Sequence, residues 1–274
     1  MHQATYEYNS ASLKPPFIRE FLELWQYRDL LRLLVTNSIK TRYKRSTLGI
    51  LWTLLNPLLN TLVLSIAFQA IMRFDVDNYT IYLLVGLLVW TFFSQTTAHS
   101  MNTLIWGSNL LKRIYVPRTI FAVSVVGNGL INYLLSLIPL AIIMLVMRQS
   151  FTPALLFLPL AILLLAMFTL GIALFMSTLA VFFVDIVDIY GVLLSALFYV
   201  TPIIYPVSII PARFLPLINL NPMTTMVSLF RALIYYGELP SMSVTLTAIA
   251  LAVISLVVGW WVFTKRVDEF AYRI

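Results

Sequence analysis

The chain has 274 residues, of which 61% are hydrophobic and 11% are charged, whereas charged residues make up about 25% of an ordinary soluble domain. This composition excludes a soluble globular protein and predicts an all-α polytopic membrane protein, because the apolar runs are far longer than barrel strands. The net charge of +7 does not indicate a nucleic-acid partner, since the basic residues lie at the boundaries of apolar runs.

Before the first apolar run, residues 17–38 carry apolar side chains at spacings of three and four, such as Leu24, Tyr27 and Leu31. This periodicity predicts an amphipathic helix in the cytoplasmic membrane interface, and an ordinary helix packed on a partner is the alternative. A cationic cluster follows, formed by Lys40, Arg42, Lys44 and Arg45. Because positive residues beside a span stay on the cytoplasmic side, this cluster predicts the orientation of the whole chain.

Six apolar runs predict six transmembrane helices, at about 48–72, 81–105, 120–147, 155–184, 189–205 and 244–263. The six spans form one membrane domain covering 1–274, with the bundle at 48–263, a tail at 264–274 and both termini in the cytoplasm. This topology places fourteen of the 18 lysine and arginine residues inside and four outside, as the positive-inside rule requires.

Two spans carry unusual polar features. Asn56-Pro57 predicts a kink near the inner boundary of span one, because proline removes a backbone hydrogen bond. The second half of span two is polar from Ser94 to Asn102, and polar groups at this depth face protein or water. His99 lies in this stretch without a partner nearby in sequence, which favours a hydrogen-bonded packing residue over a proton relay.

Two connections between spans, residues 107–119 and 206–243, carry apolar side chains that an ordinary solvated loop would not need. Residues 107–119 combine basic and apolar side chains, which predicts a short helix in the groove of a soluble partner, or alternatively one on the membrane surface. Five prolines divide residues 206–243 into apolar pieces at 208–217 and 223–236, each too short to span the bilayer. A pair of re-entrant half-helices entering from the outside is predicted, with flat interfacial helices as the alternative.

The chain lacks the motifs of an enzyme active site. It contains no G-x-x-x-x-G-K-[ST] sequence for nucleotide phosphates, no H-E-x-x-H sequence and no cysteine, so we expect no cofactor and no metal site. Aromatic side chains are abundant within the spans, where they are typical of packing and of interfacial belts. They also fit a pathway in which the apolar faces of sugars slide over rings. The candidate pathway residues are Trp52, Asn56, Phe68, Trp90, Phe175, Tyr190, Phe198 and Tyr199.

Four stretches, in the same order and at matching topological places, resemble the permease subunit of type-2 ABC exporters for polysaccharides. They are Arg42–Leu59, Leu110–Thr119, Phe182–Pro211 and Leu217–Pro240. The likeness is greatest to the O-antigen and teichoic acid export permeases. One departure occurs after span four, where relatives often read F-R-D-I and this chain has Phe183-Val184-Asp185-Ile186.

The resemblance implies a homodimer of six-helix subunits with two separate ATPase subunits, which bind ATP and magnesium. It implies that the segment before Lys40 is an interface helix, that Leu110–Arg118 is a coupling helix and that Ser208–Tyr236 forms the outer gate. The implied coupling residues are Leu110, Leu111, Lys112, Arg113, Tyr115 and Arg118. The implied gate residues are Pro211, Leu217, Pro222, Phe230 and Arg231.

The implied substrate is a long glycan on an undecaprenyl diphosphate lipid in the cytoplasmic membrane. The cationic cluster from Lys40 to Arg45 would then meet the diphosphate at the inner leaflet. Export of a smaller lipid or drug by the same architecture is the first alternative. A membrane-embedded glycan-modifying enzyme is a second, and it would need clustered acids or histidines that the sequence does not offer.

Overall fold

The structure is a computed structural model that describes residues 16–43, 49, 51–72, 76–106 and 117–270. In these ranges the regular structure is entirely helical. The helices are α1 (Pro16–Gln26), α2 (Arg28–Tyr43), α3 (Leu51–Met72), α4 (Tyr79–Trp106), α5 (Thr119–Val146), α6 (Leu158–Phe182), α7 (Ile186–Val200), α8 (Leu215–Leu220), α9 (Pro222–Arg231) and α10 (Met242–Arg266). A 3-10 turn, Pro153–Phe157, leads directly into α6.

Each of the six apolar runs forms a helix. Four stretches, coinciding with α4, α5, α6 with its 3-10 turn, and α10, are long and apolar enough to cross a membrane. The apolar parts of the other two are shorter, covering Leu54–Phe68 within α3 and Ile186–Val200 in α7. The prediction of an all-helical, multi-pass membrane protein is therefore confirmed, whereas the count of six spans stays a prediction.

Helix α4 lies at the centre of the bundle. In its most apolar window 78% of the residues are buried, against 22% in α5 and 28% in α10. It packs against α3, α5, α6, α7 and α9. The continuous buried run from Ile81 to Trp90 supplies much of the main hydrophobic core. Most apolar side chains of α4 therefore face protein, and α3, α5, α6, α7 and α9 are positioned by their contacts with it.

Helices α6 and α10 approach until their backbones touch. A Cβ atom added to Gly171 would lie 2.2 Å from the carbonyl carbon of Ser255, and one added to Gly259 would lie 2.0 Å from the carbonyl oxygen of Gly171. Ala248 and Ala252 continue the same fully buried stripe on α10. Small residues allow this contact because helices in a membrane associate mainly through close packing.

One end of the bundle, here called the α1 end, holds α1, the start of α5 and the end of α10. The hydroxyl of Thr119 donates a hydrogen bond to the carboxylate of Glu20 at 2.5 Å. The guanidinium of Arg118 donates to the carbonyl of Val267 and lies 5.7 Å from the ring centre of Phe270. The first contact fixes α1 to the start of α5, and the contacts of Arg118 fix the start of α5 to the residues that follow α10.

The opposite end, here called the loop end, joins three connections through polar side chains. The amide of Asn78 donates to Gln149 at 3.1 Å, and Gln149 donates to the carbonyl of Tyr235 at 2.7 Å. The hydroxyl of Tyr235 donates to the carbonyl of Asp77. Successive long helices therefore run in alternating directions between the two ends, as the sequence predicts for consecutive spans.

The proline-rich segment between α7 and α10 folds into two parts, of which the first is short turns with a mostly exposed helix and the second is a longer, mostly buried helix. The predicted first piece contains two 3-10 turns, Val207–Ile209 and Ala212–Phe214, followed by the largely exposed α8. The second piece is α9, continued by a π-helical turn Ala232–Tyr236. Asn221 begins α9 by accepting a hydrogen bond from the amide of Met223 and donating one to Thr201.

Gly237 ends the π-helical turn in the left-handed region, with φ at +68°. A Cβ atom at this position would also lie 2.8 Å from a methyl group of Thr152. Glycine is required here because other residues adopt this conformation at a cost and have no space for the side chain.

Candidate functional site

A cavity of about 1000 Å³ lies between α3, α4 and α5, with Phe198 of α7 also at its wall. It extends from the half of the bundle near the α1 end to the middle of α5 at Tyr133 and Ser136. Six side-chain amides line it, from Asn56, Asn60, Gln95, Asn102, Asn128 and Asn132. A polar cavity inside helices of this apolar composition is a strong candidate for a functional site, because polar groups at membrane depth are costly.

The amides of the cavity follow helical spacing. Asn56 and Asn60 are one turn apart on α3, and Asn128 and Asn132 are one turn apart on α5, which places members of each pair about 6 Å apart along the axis. Asn60 donates a hydrogen bond to Asn56 at 3.0 Å. Within the described residues, the side-chain amides of Gln95, Asn128 and Asn132 make no hydrogen bond to the protein. These donors and acceptors are available to a bound molecule.

Aromatic rings form the second component of the wall, and they connect the cavity to α9. Trp90 lies 5.6 Å from Phe198 between ring centres. Phe92 lies 5.5 Å from Tyr133, which in turn meets Phe230 of α9 edge-on at 5.9 Å. A movement of α9 would therefore change the wall at the end of the cavity formed by Tyr133.

The cavity carries no carboxylate, ammonium or guanidinium group on its described lining residues. His99 lines it and is the one lining imidazole there. An acid-base pair for glycan chemistry needs two ionisable groups at one position, and the described wall does not supply such a pair. The arrangement can bind a polar, uncharged molecule through amides and rings.

The structure brings together four of the eight candidate pathway residues. Trp52, Asn56, Trp90 and Phe198 all line the cavity. The other four, which lie elsewhere, are Phe68, Phe175, Tyr190 and Tyr199.

Those four residues have different surroundings. Phe68 packs half-buried against the main core, and Phe175 is half-buried on α6. Tyr190 is buried, and its hydroxyl donates a hydrogen bond to Thr97 at 2.8 Å, joining α7 to α4. Tyr199 is 70% exposed on the outer face of α7.

Sequence reasoning missed most of the amides of this site. Asn60, Gln95, Asn128 and Asn132 line the cavity, but only Asn56 was a candidate. The signal that would have found them is the repeat of asparagine at an interval of four residues within two separate apolar helices. Two such repeats predict polar stripes, and polar stripes inside spans face each other or water.

The cationic cluster and the coupling residues lie mostly outside the described residues. Lys40 is exposed near the end of α2, and Arg42 belongs to the same helix by its backbone. Outside the described residues lie Lys44, Arg45, Leu110, Leu111, Lys112, Arg113 and Tyr115. Arg118 is described, and its guanidinium is engaged with the carbonyl of Val267 and the ring of Phe270 at the α1 end.

The gate residues divide between surface and core. Pro211 and Leu217 are exposed, and Pro222 is half-buried at the start of α9. Phe230 and Arg231 are buried, with Arg231 only 4% exposed. Arg231, assigned to an outer connection by the sequence, is thus not a solvated loop charge but part of the core.

Arg231 binds backbone carbonyls of two other segments. Its guanidinium donates to the carbonyls of Ile203 at 2.7 Å, of Pro202 and of Tyr82, and lies 3.5 Å from the ring centre of Tyr82. Burial lowers the pKa of Arg231 to about 10, so the group stays charged at neutral pH. The side chain thereby connects α9, the turn after α7 and the start of α4.

Comparison with known proteins gives consistent matches over most of the chain. A family model described as ABC-2 type transporter matches residues 29–235. An O-antigen export system permease protein RfbA of Myxococcus xanthus is 34% identical over 260 residues, covering 94% of this chain and 100% of the relative. A protein of the same name from Klebsiella pneumoniae is 32% identical, covering 89% and 94%. The polysialic acid transport protein KpsM of Escherichia coli is 25% identical, covering 85% and 92%.

Proposed function

Because this chain belongs to the ABC-2 type transporter family, we propose that it forms the channel through which an ATP-driven exporter moves lipid-linked polysaccharide across the cytoplasmic membrane. The glycan is of the O-antigen or teichoic-acid type. The names of the relatives at 34% and 32% identity support the O-antigen type. The chain is the membrane subunit, and the family implies that a separate ABC ATPase subunit hydrolyses ATP.

The observation that carries this proposal is the uncharged, amide-lined cavity among the apolar helices. Sugar hydroxyls both donate and accept hydrogen bonds, as do the amides of Gln95, Asn128 and Asn132. Trp52, which is 49% exposed, offers a flat face for the C–H surfaces of sugar rings, and the buried Trp90 contributes to the wall beside Phe198. Repeated weak contacts of this kind hold a polymer in register without trapping it, which a conduit for a long chain requires.

The functional unit is a dimer of this chain with two ATPase subunits that hold ATP and magnesium. Closed two-fold symmetry is the usual solution for identical subunits, and it matches two identical ATPases across one axis. Movement of the ATPases would push on the connections at the α1 end and reorient α3 and α7 across the dimer. The exposed apolar faces of α3 and α7, including Leu62, Val63 and Val192, are suited to face lipid or the second copy.

The α1 end faces the cytoplasm in this proposal. Lys265 and Arg266 end α10 at that end, and Lys40 and the basic segments 42–45 and 112–118 are assigned to the same side by topology. Both termini and the interface helices α1 and α2 would then be cytoplasmic, and the six helices α3, α4, α5, α6, α7 and α10 would be the spans. Trp25, 70% exposed beside Arg28 on these helices, is suited to the lipid headgroup level.

The roles of the two connecting segments follow from this orientation. Residues 110–118 would be the coupling helix that contacts the ATPase, and 208–236 would be the outer gate, with α9 re-entering the bundle. Phe230 touches Tyr133 at the end of the cavity, so opening requires separation of these two rings. The cluster of Lys40, Arg42, Lys44 and Arg45 would meet the lipid diphosphate at the inner leaflet.

The experiment that tests the proposal is co-purification of the tagged chain with its ATPase. We expect the variant Lys112→Glu plus Arg113→Glu to lose the ATPase, because charge reversal at a docking helix disfavours the contact. Arg118 is left unchanged, since its bonds to Val267 and Phe270 make its loss a test of folding as well.

The matched control reverses the same number of charges at the loop end, as Arg148→Glu plus Arg213→Glu, and should retain the ATPase. Both residues are exposed there. If no ATPase accompanies the wild-type chain, or if both double variants lose it equally, the assigned coupling is wrong. Export of a small lipid by the intact complex, with no glycan exported, would instead favour the alternative substrate.

A further inference from the structure

We propose that the cavity is selective for uncharged sugar residues and disfavours anionic ones. This inference concerns the charge of the glycan segment held between α3, α4 and α5, and it rests on the proposed export function. The family assignment does not decide it, because the matched relatives include permeases named for different polymers.

The charge balance of the cavity is the first argument. The described lining residues supply amides, hydroxyls, rings and the imidazole of His99, but no lysine or arginine. A carboxylate in a low-dielectric space keeps its charge only when a cation or several strong donors replace its water. An anionic residue would therefore have to bring water and counterions with it, whereas a neutral residue would not.

The arginines that enter the bundle do not change this balance. Arg118 is bound to the carbonyl of Val267 and lies over Phe270, at the α1 end. Arg231 is bound to the carbonyls of Tyr82 and Ile203, at the start of α4 and in the turn after α7. Neither side chain lines the cavity, and moving Arg231 would remove the side-chain donor from the buried carbonyls of Pro202 and Ile203.

The available amides are the second argument. Gln95, Asn128 and Asn132 each offer a carbonyl oxygen as well as an NH₂ group. A sugar hydroxyl satisfies both kinds of group, since it donates and accepts. An ionised carboxylate only accepts, so it leaves the amide oxygens unpaired and facing a negative charge.

The test compares two labelled oligosaccharides of equal length, neutral maltoheptaose and an anionic heptamer of galacturonic acid, by fluorescence polarisation. The full chain is held in nanodiscs of zwitterionic lipid, and both probes are measured at the same pH and ionic strength. We expect the neutral probe to bind at least about tenfold more tightly than the anionic probe.

Two matched variants assign the preference to the cavity. Asn132→Lys should strengthen binding of the anionic probe by about tenfold or more, because it adds a cation to the wall. Asn219→Lys places the same charge on the exposed α8, outside the cavity, and should change neither affinity. Equal or tighter binding of the anionic probe to the wild-type chain, or binding of neither probe, would overturn the inference.

Failure of this inference is distinguishable from failure of the proposed function. A chain that co-purifies with its ATPase but prefers the anionic probe is still an exporter subunit, with a different selectivity. A chain that shows the neutral preference and recruits no ATPase retains the selective cavity but is not part of an ABC exporter.

Discussion

A single methyl group at Gly171 should destabilise the bundle, because α6 and α10 are in backbone contact there. In Gly171→Ala the new Cβ would lie 2.2 Å from the carbonyl carbon and 2.3 Å from the carbonyl oxygen of Ser255, whereas ordinary contacts begin near 3.4 Å. The helices would have to separate by about 1 Å, and backbone atoms cannot rotate away as a side chain does. Overpacking of this kind costs about 1–3 kcal/mol, and we expect the upper part of that range.

The matched control is the same substitution at Gly191, on the exposed face of α7. No atom lies within 4 Å of a Cβ atom there, so Gly191→Ala should gain up to about 1 kcal/mol from helix propensity. Thermal unfolding of the purified chain in detergent, followed by size-exclusion chromatography, measures both variants. An unfolding temperature of Gly171→Ala equal to that of Gly191→Ala would refute the assigned contact between the two helices.

Three further predictions concern other parts of the molecule. Arg231→Met should lower stability by about 3–5 kcal/mol, because the buried carbonyls of Pro202 and Ile203 lose their side-chain donor, and Arg231→Lys should recover only part of it in the same unfolding assay. The double variant Asn128→Leu plus Asn132→Leu should reduce glycan export at least about tenfold while its unfolding temperature stays unchanged. Asn219→Leu, outside the cavity, should export normally, and equal export by the wild-type chain and both variants would contradict the site. Gly237→Ala should destabilise the chain by about 1 kcal/mol or more, measured by unfolding, owing to its positive φ and a contact at 2.8 Å; wild-type stability would show that neither matters.

The helices were predictable because the length and spacing of apolar runs are local properties of the chain. Residues 120–147 contain no charged residue, and α5 occupies Thr119–Val146. The polar end of span two was likewise visible, and Gln95 and His99 line the cavity. A run of apolar residues thus identifies a span, and a polar stretch within it identifies the helix that borders the cavity.

The partners of individual side chains were not predictable, because they depend on how helices rotate against each other. Tyr190 and Trp90 are both aromatic residues in apolar helices, yet one bonds to Thr97 in the core and the other lines the cavity. Arg231 lies within the predicted apolar piece 223–236, and the predicted topology counts it as a charge of the outer connection. Its burial is explained by the carbonyls of Tyr82 and Ile203, which are far from it in sequence.

The measurement that tests the central claim most directly is photo-crosslinking in cells that are actively exporting glycan. A photoreactive amino acid replaces Asn132 in the cavity, or Ile142 on the exposed apolar face of α5 as the matched control. We predict that the chain crosslinks to glycan from position 132 but not from position 142, and only while the partner ATPase is active. Glycan captured equally at both positions, or at 142 alone, would contradict passage through the cavity.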